Sequence, residues 1–201
     1  MASTIQVDNI KDIGGNTIIS SDGSGTFTSN LPASAPNVST ATGTLPIANG
    51  GTGATTLAAA GLANTPAFDV RLASNQTIAN NTFTKLAFAT EILDSDGKFA
   101  SNKFTPTIAG YYFSTYSIYY DVVDDNEILS LKIYKNGSGV NASERNNFAV
   151  GTNNDIMVWG TYLIYLDADD YIELFTKQGS GGDATAYTGN TTFSGFKLIG
   201  A

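Results

Sequence analysis

The chain has 201 residues, 42% of them apolar and only 14% charged, with a net charge of −8 and neither Cys nor His. That composition excludes disulfides, thiolate metal sites, cysteine nucleophiles, Ser-His-Asp triads and the usual zinc sites. The acidic balance argues against nucleic-acid binding. No run reaches the ~18 apolar residues of a membrane span, and no basic-then-apolar N-terminal stretch reads as a signal peptide, so synthesis in a cytoplasm is expected.

In chain order, residues 1–30 carry short strand-like runs (Ile5, Val7, Ile18, Ile19) broken at Gly14-Gly15 and Asp22-Gly23, which predicts one or two short hairpins. Residues 31–67 read as an extended linker: 31–44 are rich in Pro, Ser, Thr and Ala, and a Gly-rich stretch follows. One helical turn is predicted over Leu57-Ala58-Ala59-Ala60, with Gly61 as its cap. Four of the five prolines precede residue 67, and every aromatic except Phe27 follows it. The first 67 residues therefore cannot bury enough apolar surface to offset chain entropy unaided.

Residues 68–201 are strongly two-periodic, which predicts an all-β sandwich. Strands are expected at 68–72, 82–92, 99–104, 111–120, 129–133, 156–166, 171–176 and 191–199, with a hairpin turn at Asn136-Gly137. Tyr111 to Tyr120 is bulky on both faces, and Trp159 and Leu163 repeat this on another strand. A half-exposed strand should be polar on its outer side. Either loops or neighbouring subunits must therefore cover the second face, and we expect subunits.

Three segments carry a resemblance. Phe104 to Tyr112 (FTPTIAGYY) with Tyr116, Leu166 to Ile172 (LDADDYI) and Phe193 to Leu198 (FSGFKL) resemble, in order, motifs of the complement globular-head and tumour-necrosis-factor-like family. The resemblance implies a ten-stranded jelly roll and a homotrimer. Ser114 stands where that family usually has Phe, and Asp169 where it usually has Gly. A second resemblance, through Leu45 to Thr56 (LPIANGGTGATT) and Ile5 to Phe27, is to tail fibres of tailed bacteriophages. It implies a virion protein assembled in a host bacterial cytoplasm. The N-terminal segment would attach to other virion proteins, and the C-terminal head would project.

Candidate chemistry is sparse. Asp94 and Asp96, then Asp121, Asp124 and Asp125, then Asp167, Asp169 and Asp170 crowd three loops. Calcium prefers such oxygen-rich sites, but no twelve-residue calcium-loop pattern is present. Solvated turns are expected, with no cofactor. Carboxylate pairs suffice for glycoside hydrolysis, yet the chain lacks the repeats of a glycan-cleaving tailspike, and no catalytic residue is expected.

Segments 136–147 and 178–190 read as Gly-, Ser- and Asn-rich loops suited to recognition. Asn141, Arg145, Asn147, Asp183 and Tyr187 are the candidate receptor-binding residues, for a host-surface glycan or protein. The expected function is a tail fibre whose trimeric head recognises a receptor. The alternatives are a capsid decoration or head-fibre protein, a secreted ligand of the tumour-necrosis-factor type, and a glycan-cleaving enzyme.

Overall fold

A computed structural model describes residues 9–21, 27–29, 51, 53–56, 59–123, 127–149 and 154–199. The chain divides into two compact units, Met1–Thr44 and Leu45–Ala201. The predicted linker 31–44, the Asp22-Gly23 turn and most of the Gly-rich motif lie outside the described residues.

In the first unit, β1 (Asn9–Lys11), β2 (Thr17–Ser21) and β3 (Phe27–Ser29) form an antiparallel sheet in that order. The β1–β2 turn contains the expected Gly15, at φ 82°. Asp12 organises it: its carboxylate accepts Asn16 N–H at 2.8 Å and Asn16 Nδ2 at 2.9 Å, which holds the carboxyl below its ordinary pKa.

Of the expected helical turn, the described part is Ala59 to Gly61. Ala60 N–H donates to Thr56 O, Ala59 N–H donates to the Thr56 hydroxyl, and Gly61 ends the turn at φ 71°.

The second unit is a two-layer β-sandwich, the jelly roll expected from the sequence. One sheet is built around β10 (Gly110–Val123), flanked by β14 (Asn154–Leu166) and β17 (Thr192–Lys197); β4 (Ala67–Leu72) and β7 (Phe88–Asp94) extend it. Short strands β16 (Ala184–Ala186) and β5 (Gln76–Ile78) continue it beside Tyr120. The other sheet centres on β11 (Ile128–Lys135) and β15 (Ile172–Gln178). It takes in β6 (Thr84–Lys85), β8 (Phe99–Ala100), β9 (Lys103–Phe104), β12 (Ser138–Gly139) and β13 (Arg145–Phe148). No helix among the described residues is long and apolar enough to cross a membrane.

Period-2 alternation sets what is buried. Tyr112, Tyr116, Ile118 and Tyr120 from β10 face Leu129, Leu131 and Ile133 from β11 and Ile172 and Leu174 from β15, all in one core. Phe68 stacks on Phe104 and meets Phe193 edge-on.

Four readings need correction. The strand expected over 82–92 is two strands in different sheets. Leu86 is buried between them and its N–H donates to Leu174 O, while Ala87 N–H goes to Gln76 Oε1, so the chain crosses the sandwich there. The strand expected over 99–104 is a hairpin, because Ser101 and Asn102 both take positive φ, 54° and 59°. Segment 136–147 is mostly structured: it holds β12, a 3-10 turn at Asn141–Ser143 and most of β13, which pairs with β11. Likewise 178–190 contains β16.

Asp169 sits at φ 70°, which accounts for the glycine usual at this position in the resembled family.

Candidate functional site

The ladder registers sort the loops between two ends of the sandwich. Ala67 pairs with Phe196, and Gly110 with Leu166, so the chain enters the head at the same end as those residues. The Asn136-Gly137 turn is there too: Asn136 N–H donates to Tyr171 O, and Asn136 Nδ2 reaches Asp170 at 2.6 Å. At the far end, Tyr120 pairs with Ile156 and Ala186, and Leu129 pairs with Gln178.

The five candidate residues do not converge. Asn141 lies on the flank, its Oδ1 accepting from Lys132 Nζ at 3.1 Å. Arg145 also lies there. Its guanidinium donates to the carbonyls of Ala142, Glu144 and Thr161, at 3.1, 2.9 and 3.0 Å. Asn147 donates from Nδ2 to Met157 O at 3.1 Å. Arg145 and Asn147 therefore stitch β13 of one sheet to β14 of the other, with side-chain bonds replacing a backbone ladder. Asp183 and Tyr187 sit at the far end. Asp183 is exposed, whereas Tyr187 is half-buried edge-on against Tyr119, with ring centroids 6.1 Å apart.

The far end contains a device that loop composition did not reveal. Gln178 is fully buried. Its Nε2 donates to Ile78 O and Gly182 O, and its Oε1 accepts Ser180 N–H. Its backbone carbonyl accepts Asn81 N–H at 2.7 Å. One side chain and its carbonyl thus hold loops 79–82 and 179–183 together. Between them opens a groove of about 360 Å³ lined by Asn80, Asn81, Glu127, Ile128, Lys177, Gly179 and Gly181. The sequence signal was the parity of β15: Thr176 and Gln178 continue the inward positions of Ile172 and Leu174, and buried polar groups there must be hydrogen-bonded.

The inward tyrosines of β10 are structural phenols. Tyr112 donates to Ile108 O, Tyr116 to Ser143 O, and Tyr120 shares a bond with Thr176. Burial pushes Tyr112 and Tyr116 up to about 12 and raises Tyr120 as well. In the 167–170 loop, hydrogen bonds from Lys135 first, then Asn136 and the Asp167 N–H, hold the Asp170 carboxyl down to about 2. Among the described residues, no three or more acidic groups converge as metal ligands. Asp124, Asp125 and the Asp121 side chain lie outside the described residues.

The second surface of note is the outward face of the β10 sheet. Tyr111, Met157, Leu163 and Tyr165 are exposed there, and Trp159 is 69% exposed. Register places Tyr111 beside Tyr165, Phe113 beside Leu163 and Phe196, and Ser117 beside Trp159. A polar belt crosses this face: Thr115 bonds Ser194 at 2.8 Å, and Ser117 bonds Thr192 at 2.9 Å. The outward face of the other sheet differs. Tyr134 stacks on Phe175 at 3.9 Å, Lys132 and Lys177 lie over Phe83, and Lys85 and Lys132 pair with Glu173 and Glu144. That sheet covers itself.

The two-layer sandwich, with its aromatic core and chain entering beside its last strand, is a jelly-roll head. A family model for the C1q domain matches residues 67–198. The chain belongs to the C1q domain family.

Among solved structures, the Eiger TNF of S. frugiperda is 10% identical, with TM-score 0.51 over 67% of this chain and 93% of that one. Murine APRIL at pH 5.0 is 9% identical, with TM-score 0.50 over 66% and 98%. The globular domain of zebrafish complement 1qA protein is 17% identical, with TM-score 0.49 over 67% and 98%. No curated protein matches the chain. Domains of this C1q/TNF-like class are generally non-enzymatic binding modules, often trimeric.

Proposed function

We propose that the chain is a non-enzymatic virion fibre protein whose homotrimeric head binds a receptor on a bacterial surface through loops at its far end. The observation that carries the assembly is the bare apolar face of the β10 sheet. Trp159 and Met157 to one side of its polar belt, and Leu163, Tyr165 and Tyr111 to the other, are large apolar side chains exposed on a single sheet face. It adjoins a groove of about 280 Å³ lined partly by Leu93, Phe113 and Phe196. A second and third copy of the head are the partners that fit a C1q-family domain.

The Leu45 to Thr56 motif, which resembles phage-fibre linkers, supports the virion role. The direction of the head supports the receptor role, because the chain enters at one end and the 178–190 loops stand at the other. The segment 1–30 then supplies attachment to the particle.

The test has two arms. Light scattering of the full-length protein should give a trimer mass. Purified protein should compete with particles for adsorption to host cells, and deletion of residues 3–30 should abolish incorporation into particles without unfolding the head. A monomer mass overturns the assembly. Absence of competition, with the protein mapped to the capsid lattice, overturns the receptor role.

A further inference from the structure

The groove at the far end has a composition that selects a ligand class. Among the described lining residues there is one acid, Glu127, and one base, Lys177, whose ammonium lies over Phe83, so the lining offers no excess of cations. A phosphate or an acidic sugar would want an excess of cations. Asn80 and Asn81 add amides, each with donors and an acceptor. Ile128 adds an apolar wall, 45% exposed. A ring bearing hydroxyls on its rim and C–H groups on one face matches this set. An apolar drug-like molecule does not, because such pockets are mostly hydrophobic.

The groove is also pre-organised, which lowers the entropic cost of binding. Gln178 fixes both loops from below, and Asn80 Oδ1 accepts Gly181 N–H at 3.2 Å to close the gap between them. Gly179 and Gly181 leave the lining without side chains. A Cβ at Gly181 would meet nothing within 4 Å, and one at Gly179 would meet only Ile128 O at 3.7 Å. The volume, about 360 Å³, falls at the small end of ligand sites, the size of a mono- or disaccharide.

We infer that this groove is a saccharide site that takes a neutral pyranose unit of a surface glycan. The inference rests on the receptor-binding reading and names the ligand class and the place of contact.

The probe is a panel of free sugars: glucose, galactose, mannose, N-acetylglucosamine and N-acetylgalactosamine, with glucuronate and N-acetylneuraminate as acidic members. Saturation-transfer NMR and calorimetry on the full-length protein should detect at least one neutral sugar. Gly179→Leu, which fills the groove without a backbone clash, should weaken that binding at least tenfold. Asn80→Ala should do so as well. Asn141→Ala on the flank should leave it unchanged, and circular dichroism should be the same for all variants.

Binding of acidic sugars alone, no binding of any sugar, or undiminished binding by Gly179→Leu would overturn the site. Adsorption separates this from the broader reading. If wild-type protein competes for host cells and Gly179→Leu competes equally well, the groove is wrong and the receptor role stands. If wild-type protein does not compete at all, the receptor role itself falls.

Discussion

Trp159→Ala is the sharpest probe of assembly. A Trp side chain offers about 250 Å² for burial, and at 69% exposure roughly 170 Å² of Trp159 is bare in the isolated head. At ~25 cal/mol per Å², covering it in a trimer contributes about 4 kcal/mol per subunit. Measured truncations of central interface aromatics fall at about 2–4 kcal/mol, because part of the gain goes to ordering and imperfect desolvation. The variant should therefore weaken each contact roughly 30- to 1,000-fold. Light scattering over a dilution series should show the trimer dissociating at concentrations where wild type stays intact. The fold should survive, since Trp159 faces away from the core on a strand whose inward residues, Ile156, Val158 and Ile164, are untouched. A wild-type trimer with an unchanged dissociation curve in Trp159→Ala would refute the assignment of this face to the interface.

Gly160 should tolerate no side chain: an added Cβ would lie 2.5 Å from Arg145 Cγ and 2.9 Å from the buried Tyr116 ring. Both neighbours are pinned by hydrogen bonds, so Gly160→Ala should cost about 1–3 kcal/mol, read as a lower thermal midpoint; an unchanged midpoint would show that the flank is plastic. Ser114→Ala should raise stability by about 1 kcal/mol, because Ser114 Oγ is buried with no hydrogen-bond partner among the described residues; a loss in denaturant titration would reveal a bond to ordered water. Asp170 has a depressed carboxyl pKa, so its contribution is complete above the ordinary carboxylate pKa and is lost as pH falls towards about 2. With solvent screening taken in, wild type should lose about 1 kcal/mol more than Asp170→Asn between pH 5 and pH 2, and parallel pH profiles would contradict this. A fragment of residues 67–201 should unfold cooperatively by itself, and a gradual, probe-dependent melt would argue that the first 66 residues belong to the same folding unit.

The jelly roll was legible because its long strands carry clean alternation. Tyr112, Tyr116, Ile118 and Tyr120 announced one inward face, and Leu129, Leu131 and Ile133 another. What escaped was structure built by single residues rather than by period. The crossing at Leu86-Ala87 depends on one buried leucine and one glutamine amide. The turn at Ser101-Asn102 depends on two residues tolerating positive φ, without the Gly that would have flagged it. The candidate residues are more engaged than their composition suggested, for a related reason. Asn- and Ser-rich composition reports exposed turns, but it cannot say which polar side chains are already engaged. Arg145 and Asn147 look free in the sequence, yet they tie β13 to β14. Gln178 looks like the first residue of a loop, yet it is the buried anchor of two.

The aromatic excess on both faces of the strands has two separate resolutions, and the difference carries the functional reading. On the β11–β15 sheet, the outward aromatics Tyr134 and Phe175 stack on each other, while lysines over Phe83 present their charges to water and to Glu144 and Glu173. Long cationic side chains can cover apolar surface while keeping their heads solvated. Among the described residues, no lysine lies over an aromatic ring on the β10 sheet, whose outward face carries Thr and Ser across the middle and exposed aromatics towards both ends. Arg71 and Asp69 meet only at 4.0 Å, both partly exposed, at the β4 side of that face. A face with hydroxyls already paired to one another, Thr115 with Ser194 and Ser117 with Thr192, can be desolvated without leaving polar groups orphaned. One sheet thus covers its outward aromatics with its own side chains, and the other leaves them exposed, as the proposed trimer requires. With that face in the proposed trimer interface, the far-end loops are the part of the head that the proposal leaves for a ligand.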